Sequence, residues 1–169
     1  MPFAATHILV PMVLVSLIRA HWQKLKHKIT LKEVFIAGVF GILPDIDIPL
    51  AWLIHYATGS GIPAIHRTFT HTLLAVAIIL LVAVSLKKVN RQLYTAGLLA
   101  ALGYFTHLVL DFTLIGTIQP FWPFSLAEFG LNILPSELGA AHVLAGLDAI
   151  LILFWLWHEE KFKKIKSFY

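Results

Sequence analysis

Long apolar runs separated by short polar segments dominate this chain. Four of them, Val34 to Ile54, Phe69 to Leu86, Leu93 to Ile115 and Leu138 to Trp157, reach or approach the about 20 residues a membrane-crossing helix needs. A fifth run, Thr6 to Ile18, is shorter and holds Pro11. No positive residue precedes it and no small-residue cleavage site follows it, which suits a retained helix rather than a signal sequence. The pattern predicts an all-α membrane protein: a single domain over residues 1–169, with five spans at about 6–18, 34–54, 69–86, 93–115 and 138–157. The second helix is expected to break at Pro44–Pro49, because an interior proline lacks an N–H and clashes with the preceding turn.

Composition narrows the class. Of the 169 residues 59% are hydrophobic, 13% are charged and none is cysteine, against roughly half apolar and a quarter charged in soluble domains. Disordered, disulfide-stapled and soluble readings are excluded. The net charge of +4 would raise nucleic acid as a partner, but the basic residues sit between apolar runs, so that reading fails. Lysine and arginine favour the cytoplasmic side. Twelve of the thirteen cations fall in alternate connections, at 19–33, 87–92 and the tail from 158; only Arg67 falls elsewhere. The expected topology is N-terminus out and C-terminus in. Lys161, Lys163, Lys164 and Lys166 would touch anionic lipid at the cytoplasmic face. Trp52, Trp122, Trp155 and Trp157 lie near predicted span ends, as an aromatic belt does.

The chemistry lies in ionisable residues inside the runs. A charge at mid-membrane costs about 2.5–3.5 kcal/mol. Asp45, Asp47, Asp111 and Asp148 lie within predicted spans, and no lysine or arginine lies there to neutralise them. Histidines do: His107 and His142 are in spans, while His7 and His71 start spans. Acids and histidines without a balancing cation point to a metal ion. At about 1.5 Å per residue, His7, Asp45, Asp47, His71, His107, Asp111 and His142 converge in the outer half of the membrane. His107 and Asp111 are four apart and share a helix face. Two aspartates at a helix break read as ligands facing a cavity, although aspartate also caps helices. His66 and His71 serve one site only if the next helix starts between them. Carboxylates and imidazoles without thiolate suit zinc, manganese or iron, and bridging aspartates suit two ions. No serine elbow or glycine-rich phosphate loop competes.

Five segments together carry a resemblance. They are Thr6-His7, Gly41 to Asp47, His66 to Thr72, Gly103 to Asp111 and Pro120 to Ser125. Over roughly residues 4–148 the chain resembles the YdjM-like family of prokaryotic membrane-bound metal-dependent hydrolases, itself similar to the zinc phospholipase C and S1/P1 nuclease group. The resemblance implies metal ligation by His7, Asp45, His71, His107 and Asp111, with Asp47 and His142 joining them. The phospholipase pattern also uses an N-terminal tryptophan and a late His-x3-Glu. Here the chain starts Met1-Pro2 and Gly146 follows His142 by four, so Glu137 or Asp148 would have to substitute for a third ion.

The function expected is hydrolysis of a phosphoester or pyrophosphate of a membrane lipid. Asp47, His66 and Arg67 are the candidate catalytic residues: an aspartate as base or bridge, His66 as ligand or neighbour of one, and Arg67 as a clamp on a phosphoryl oxygen. Arg67 pairing with a lipid headgroup is the plainer alternative. The loop 116–137, with Trp122, Phe121, Phe124 and Phe129, is expected to lie on the membrane surface over the site. The rival readings are a transporter or ion carrier, since broken helices and mid-membrane acids also mark transport sites, and a non-catalytic metal-stabilised scaffold.

Overall fold

The computed structural model describes residues 4–21, 29–59, 67–134 and 137–161, the side chains of 137–140 excepted. His66, Lys163, Lys164 and Lys166 lie outside the described residues, as does the side chain of Glu137. Every regular element among the described residues is helical: α1 Ala4–His21, α2 Leu31–Ile42, α3 Asp47–Thr58, α4 Leu73–Ser85, α5 Arg91–Thr113 and α6 Glu137–Lys161.

Local chemistry sets most helix ends. Thr30 and Glu33 form a reciprocal capping box at the start of α2. The Asn90 side chain accepts from the N–H groups of Gln92 and Leu93 at the start of α5. Thr72 caps α4 through the N–H of Ala75. α2 and α3 are joined by a 3-10 turn, Leu43–Ile46, with Pro44 in its first positions. The break is therefore confined to the front of the expected segment. Pro49 is the third residue of α3, where its missing N–H has no intrahelical partner to lose.

Four helical stretches are long and apolar enough to cross a membrane: Ala4–His21, Leu31–Thr58 (α2 through α3), Arg91–Thr113 and Ala141–Lys161. The run expected as a span at 69–86 is shorter than that. α4 has 13 residues, about 20 Å at 1.5 Å each, against a hydrocarbon core of about 30 Å. Its front is held out of the helix because Arg67 N and the Thr70 hydroxyl both donate to the Asp47 carboxylate.

α2 packs against α1 and α5, α4 packs against α5, and α6 packs against α1. Met12, Val15, Val34, Ala37, Leu99 and Trp155 form the main core. A smaller one, Val76, Tyr104, Leu108 and Ile118, joins α4 and α5 to the following loop. Many large apolar side chains face outward, among them Leu53, Leu81, Ile150 and Leu153, each about two-thirds exposed. A water-soluble monomer rarely shows apolar area on that scale; a lipid-facing helix bundle requires it. Loop 114–134 folds back over the end of α5. Leu131 and Ile133 donate to the carbonyls of Phe112 and Thr113, and Ile118 pairs with Phe129.

Candidate metal centre

Three segments supply one buried group. Asp45 comes from the 3-10 turn, His71 from the irregular stretch before α4, and His107 and Asp111 from successive turns of α5. One donor atom from each lies within 4.8 Å of every other. His71 Nε2 and His107 Nε2 are 3.0 Å apart. Asp45 Oδ1 is 3.6 Å from both, and Asp111 Oδ2 is 3.3 Å and 3.6 Å from them. In a tetrahedron, ligand distances of about 2.0–2.2 Å correspond to edges of about 3.3–3.6 Å. The group has the size of a coordination shell for a small divalent ion.

Hydrogen bonds behind the rings assign the tautomers. His107 Nδ1 is 2.7 Å from the Gly41 carbonyl, an acceptor only, so that nitrogen carries the proton. The Thr70 hydroxyl donates to Asp47 Oδ2 at 2.8 Å and therefore accepts from His71 Nδ1 at 2.9 Å. The two Nε2 atoms then face each other across 3.0 Å, with carboxylate oxygens alongside. Such an array needs a positive charge among its donors, either a proton shared between the rings or a metal ion. Neither oxygen of Asp111 has a conventional hydrogen bond, and Nδ1 of His7 has none. The residues fit a metal ion, and the N/O donor set without thiolate matches zinc, manganese or iron.

The remaining predicted site residues take distinct places. Asp47 stands on the far side of the His71 ring, 3.3 Å from Nδ1, outside the four-atom group. It is not one of the four donors; its carboxylate holds the His71 ring from behind. His7 stacks on His107 with ring centroids 3.9 Å apart and sets Nε2 3.4 Å from Asp111 Oδ1. Asp111 thus turns one oxygen to the group and the other to His7. Arg67 places Nε 3.3 Å from Asp111 Oδ2, while its Nε and Nη2 make no hydrogen bond. Asp148 accepts from Thr6 at 2.6 Å and ties α1 to α6. His142 lies on an exposed face of α6 and is not among the residues brought together.

Three supports carried no chemistry that sequence reasoning could weigh. Gly41 gives its carbonyl to His107, and a Cβ there would lie 2.2 Å from the His7 carbonyl oxygen, so only glycine lets α1 bring His7 this close. Gly116 sits at φ +93° against Arg67, where a Cβ would lie 1.7 Å from Nη1. Tyr104 donates to the Thr70 carbonyl at 2.5 Å and pins the segment carrying His71. Gly41, Thr70 and Tyr104 all fall inside the segments that carry the resemblance.

The YdjM inner membrane protein family model matches residues 1–167. The chain belongs to the YdjM inner membrane protein family. No curated protein and no solved structure matches it. In this YdjM-family chain, membership and the four long apolar helices agree on a membrane protein, and its buried His/Asp group could bind a metal ion.

Proposed function

We propose that this YdjM-family chain is a multi-pass inner-membrane hydrolase that uses divalent metal to cleave a phosphoester or pyrophosphate of a membrane lipid. The observation that carries the reading is the convergence of two imidazole Nε2 atoms and two carboxylate oxygens beside a partly buried arginine. Asp45, His71, His107 and Asp111 would hold the ion: zinc, manganese or iron by donor set. His7 and the Asp111 oxygen turned toward it would help to hold a second ion. Bound metal supplies Lewis acidity and lowers the pKa of its water to about 7.

The chain's own residues do the rest. Asp47 and Thr70 hold the His71 ring, and the Gly41 carbonyl holds His107. Arg67, cradled by Gly116, directs guanidinium N–H groups toward phosphoryl oxygens as charge grows on them. The uneven distribution of lysine and arginine supports a site in the outer half of the bilayer, where a lipid headgroup lies, and the tail lysines support contact with anionic lipid on the other face.

The bent α2–α3 helix also suits a transporter. Below the bend, however, Met12, Val15, Val34, Ala37 and Leu99 pack into an apolar core, which favours the hydrolase reading. The deciding experiment is phosphate release from phosphatidic acid and from a lipid pyrophosphate by purified protein in mixed micelles. Hydrolysis abolished by chelator, restored by zinc or manganese and lost in Arg67→Ala supports the proposal. Metal-loaded protein inactive on both substrates contradicts it.

A further inference from the structure

A groove of about 390 Å³ runs along the α2–α3 bend, within the usual size of small-ligand sites. Val39 and Ile42 of α2, Leu43 and Ile46 of the turn, and Ile48 of α3 line it, and its one polar side chain is Asp45. Asp45 is also the outermost member of the metal-sized group. Its side chain is 17% exposed, whereas those of His71, His107 and Asp111 are 1% or less. Asp45, the most exposed member of the group, therefore also lines the groove. Two other apolar cavities, one beneath Phe121 and Phe129 and one between α4 and α5, include no residue of the group.

We propose that this groove holds one hydrocarbon tail of the lipid whose phosphoryl group reaches the His/Asp group, and that the lipid enters sideways from the bilayer at the α2–α3 bend. The phosphoryl half of this statement rests on the hydrolase reading above. A water-soluble phosphoester would leave its polar groups without partners along an apolar wall; a hydrocarbon tail loses nothing there and gains with each methylene buried. The bend makes both parts at once. The 3-10 turn Leu43–Ile46 carries Asp45 and supplies Leu43 and Ile46 to the groove wall.

The test uses the whole chain in phosphatidylglycerol nanodiscs containing a phosphatidic acid with a diazirine in its tail. Label is located by mass spectrometry after irradiation. The expected result is labelling concentrated on residues 39–48 over other outward-facing positions such as Leu81 and Leu153. Val39→Trp and Ile46→Trp alter side chains that are more than half exposed, so they narrow the groove without disturbing packing. Each should reduce groove labelling severalfold, with metal content unchanged. Labelling spread evenly over the apolar surface, or indifferent to both substitutions, overturns the tail site. Turnover of a short soluble phosphoester, measured in parallel, separates the two readings. If it persists while groove labelling is absent, the tail site alone is overturned. Groove labelling in metal-loaded protein that cleaves no phosphoester supports the tail site and overturns the hydrolase.

Discussion

Replacing Asp47 separates a residue that binds metal from one that holds a ligand in place. Its carboxylate accepts from Arg67 N at 3.0 Å and the Thr70 hydroxyl at 2.8 Å, and stands 3.3 Å from His71 Nδ1. Asp47→Ala removes the acceptor for Arg67 N and for the Thr70 hydroxyl, and the charge beside His71 Nδ1. A buried donor left without a partner costs about 1–3 kcal/mol. The Thr70 hydroxyl can rotate to another acceptor, which leaves Arg67 N, so the expected loss of stability is about 1–3 kcal/mol. Loss of a carboxylate behind a ligating histidine lowers metal affinity about 10–100-fold, or about 1.4–2.7 kcal/mol. Asp47→Asn keeps an oxygen for the two stronger bonds but removes the charge that makes His71 a better donor. It should cost under about 1 kcal/mol of stability and still weaken metal. The assay is zinc competition against a chromophoric chelator in detergent, with thermal unfolding of the same samples. Unchanged affinity in both variants would refute the role given to Asp47. Affinity as low in Asp47→Asn as in His71→Ala would make Asp47 a direct ligand.

Other substitutions probe the supports around the centre. Gly116→Ala must move Arg67, because the added methyl meets Nη1 at 1.7 Å; lipid phosphoester hydrolysis should fall while metal per chain, read by mass spectrometry, stays the same. Gly41→Ala drives a methyl into the His7 carbonyl at 2.2 Å and should destabilise by about 1–3 kcal/mol as an overpacking change, read from unfolding in detergent. His142→Ala should leave bound metal at the wild-type level, since His142 is exposed on α6.

Much of the centre is legible in the sequence because acids and histidines are rare and costly inside apolar runs. That cost marks Asp45, His71, His107 and Asp111 without any knowledge of how the helices pack, and the four-residue spacing of His107 and Asp111 already gives their shared face. Direction is harder to read than position. Asp45 and Asp47 are two apart, and whether they face one site depends on the local helical period; a 3-10 turn passing into α-helix aims one at the group and the other behind His71. The direction of His142 is equally hard to read. The less exposed stripe of α6 runs through Leu144, Asp148, Leu151, Trp155 and His158, alternately four and three apart, and His142 lies off it. The stripe's spacing is visible in the sequence, but the hydropathy of α6 is too uniform to show which face is packed. The length of α4 depends on polar capture of residues 67–72 by Asp47, a long-range contact with no local signature. The Gly41 carbonyl is invisible for a simpler reason: every residue has one.

Whether Asp45, His71, His107 and Asp111 hold a divalent ion is tested most directly by elemental analysis of detergent-purified protein, wild type beside His107→Ala/Asp111→Ala. One or more zinc, manganese or iron ions per wild-type chain are expected, resistant to dialysis and absent from the folded double variant. Wild-type protein that takes up no metal even after incubation with these ions would contradict the assignment.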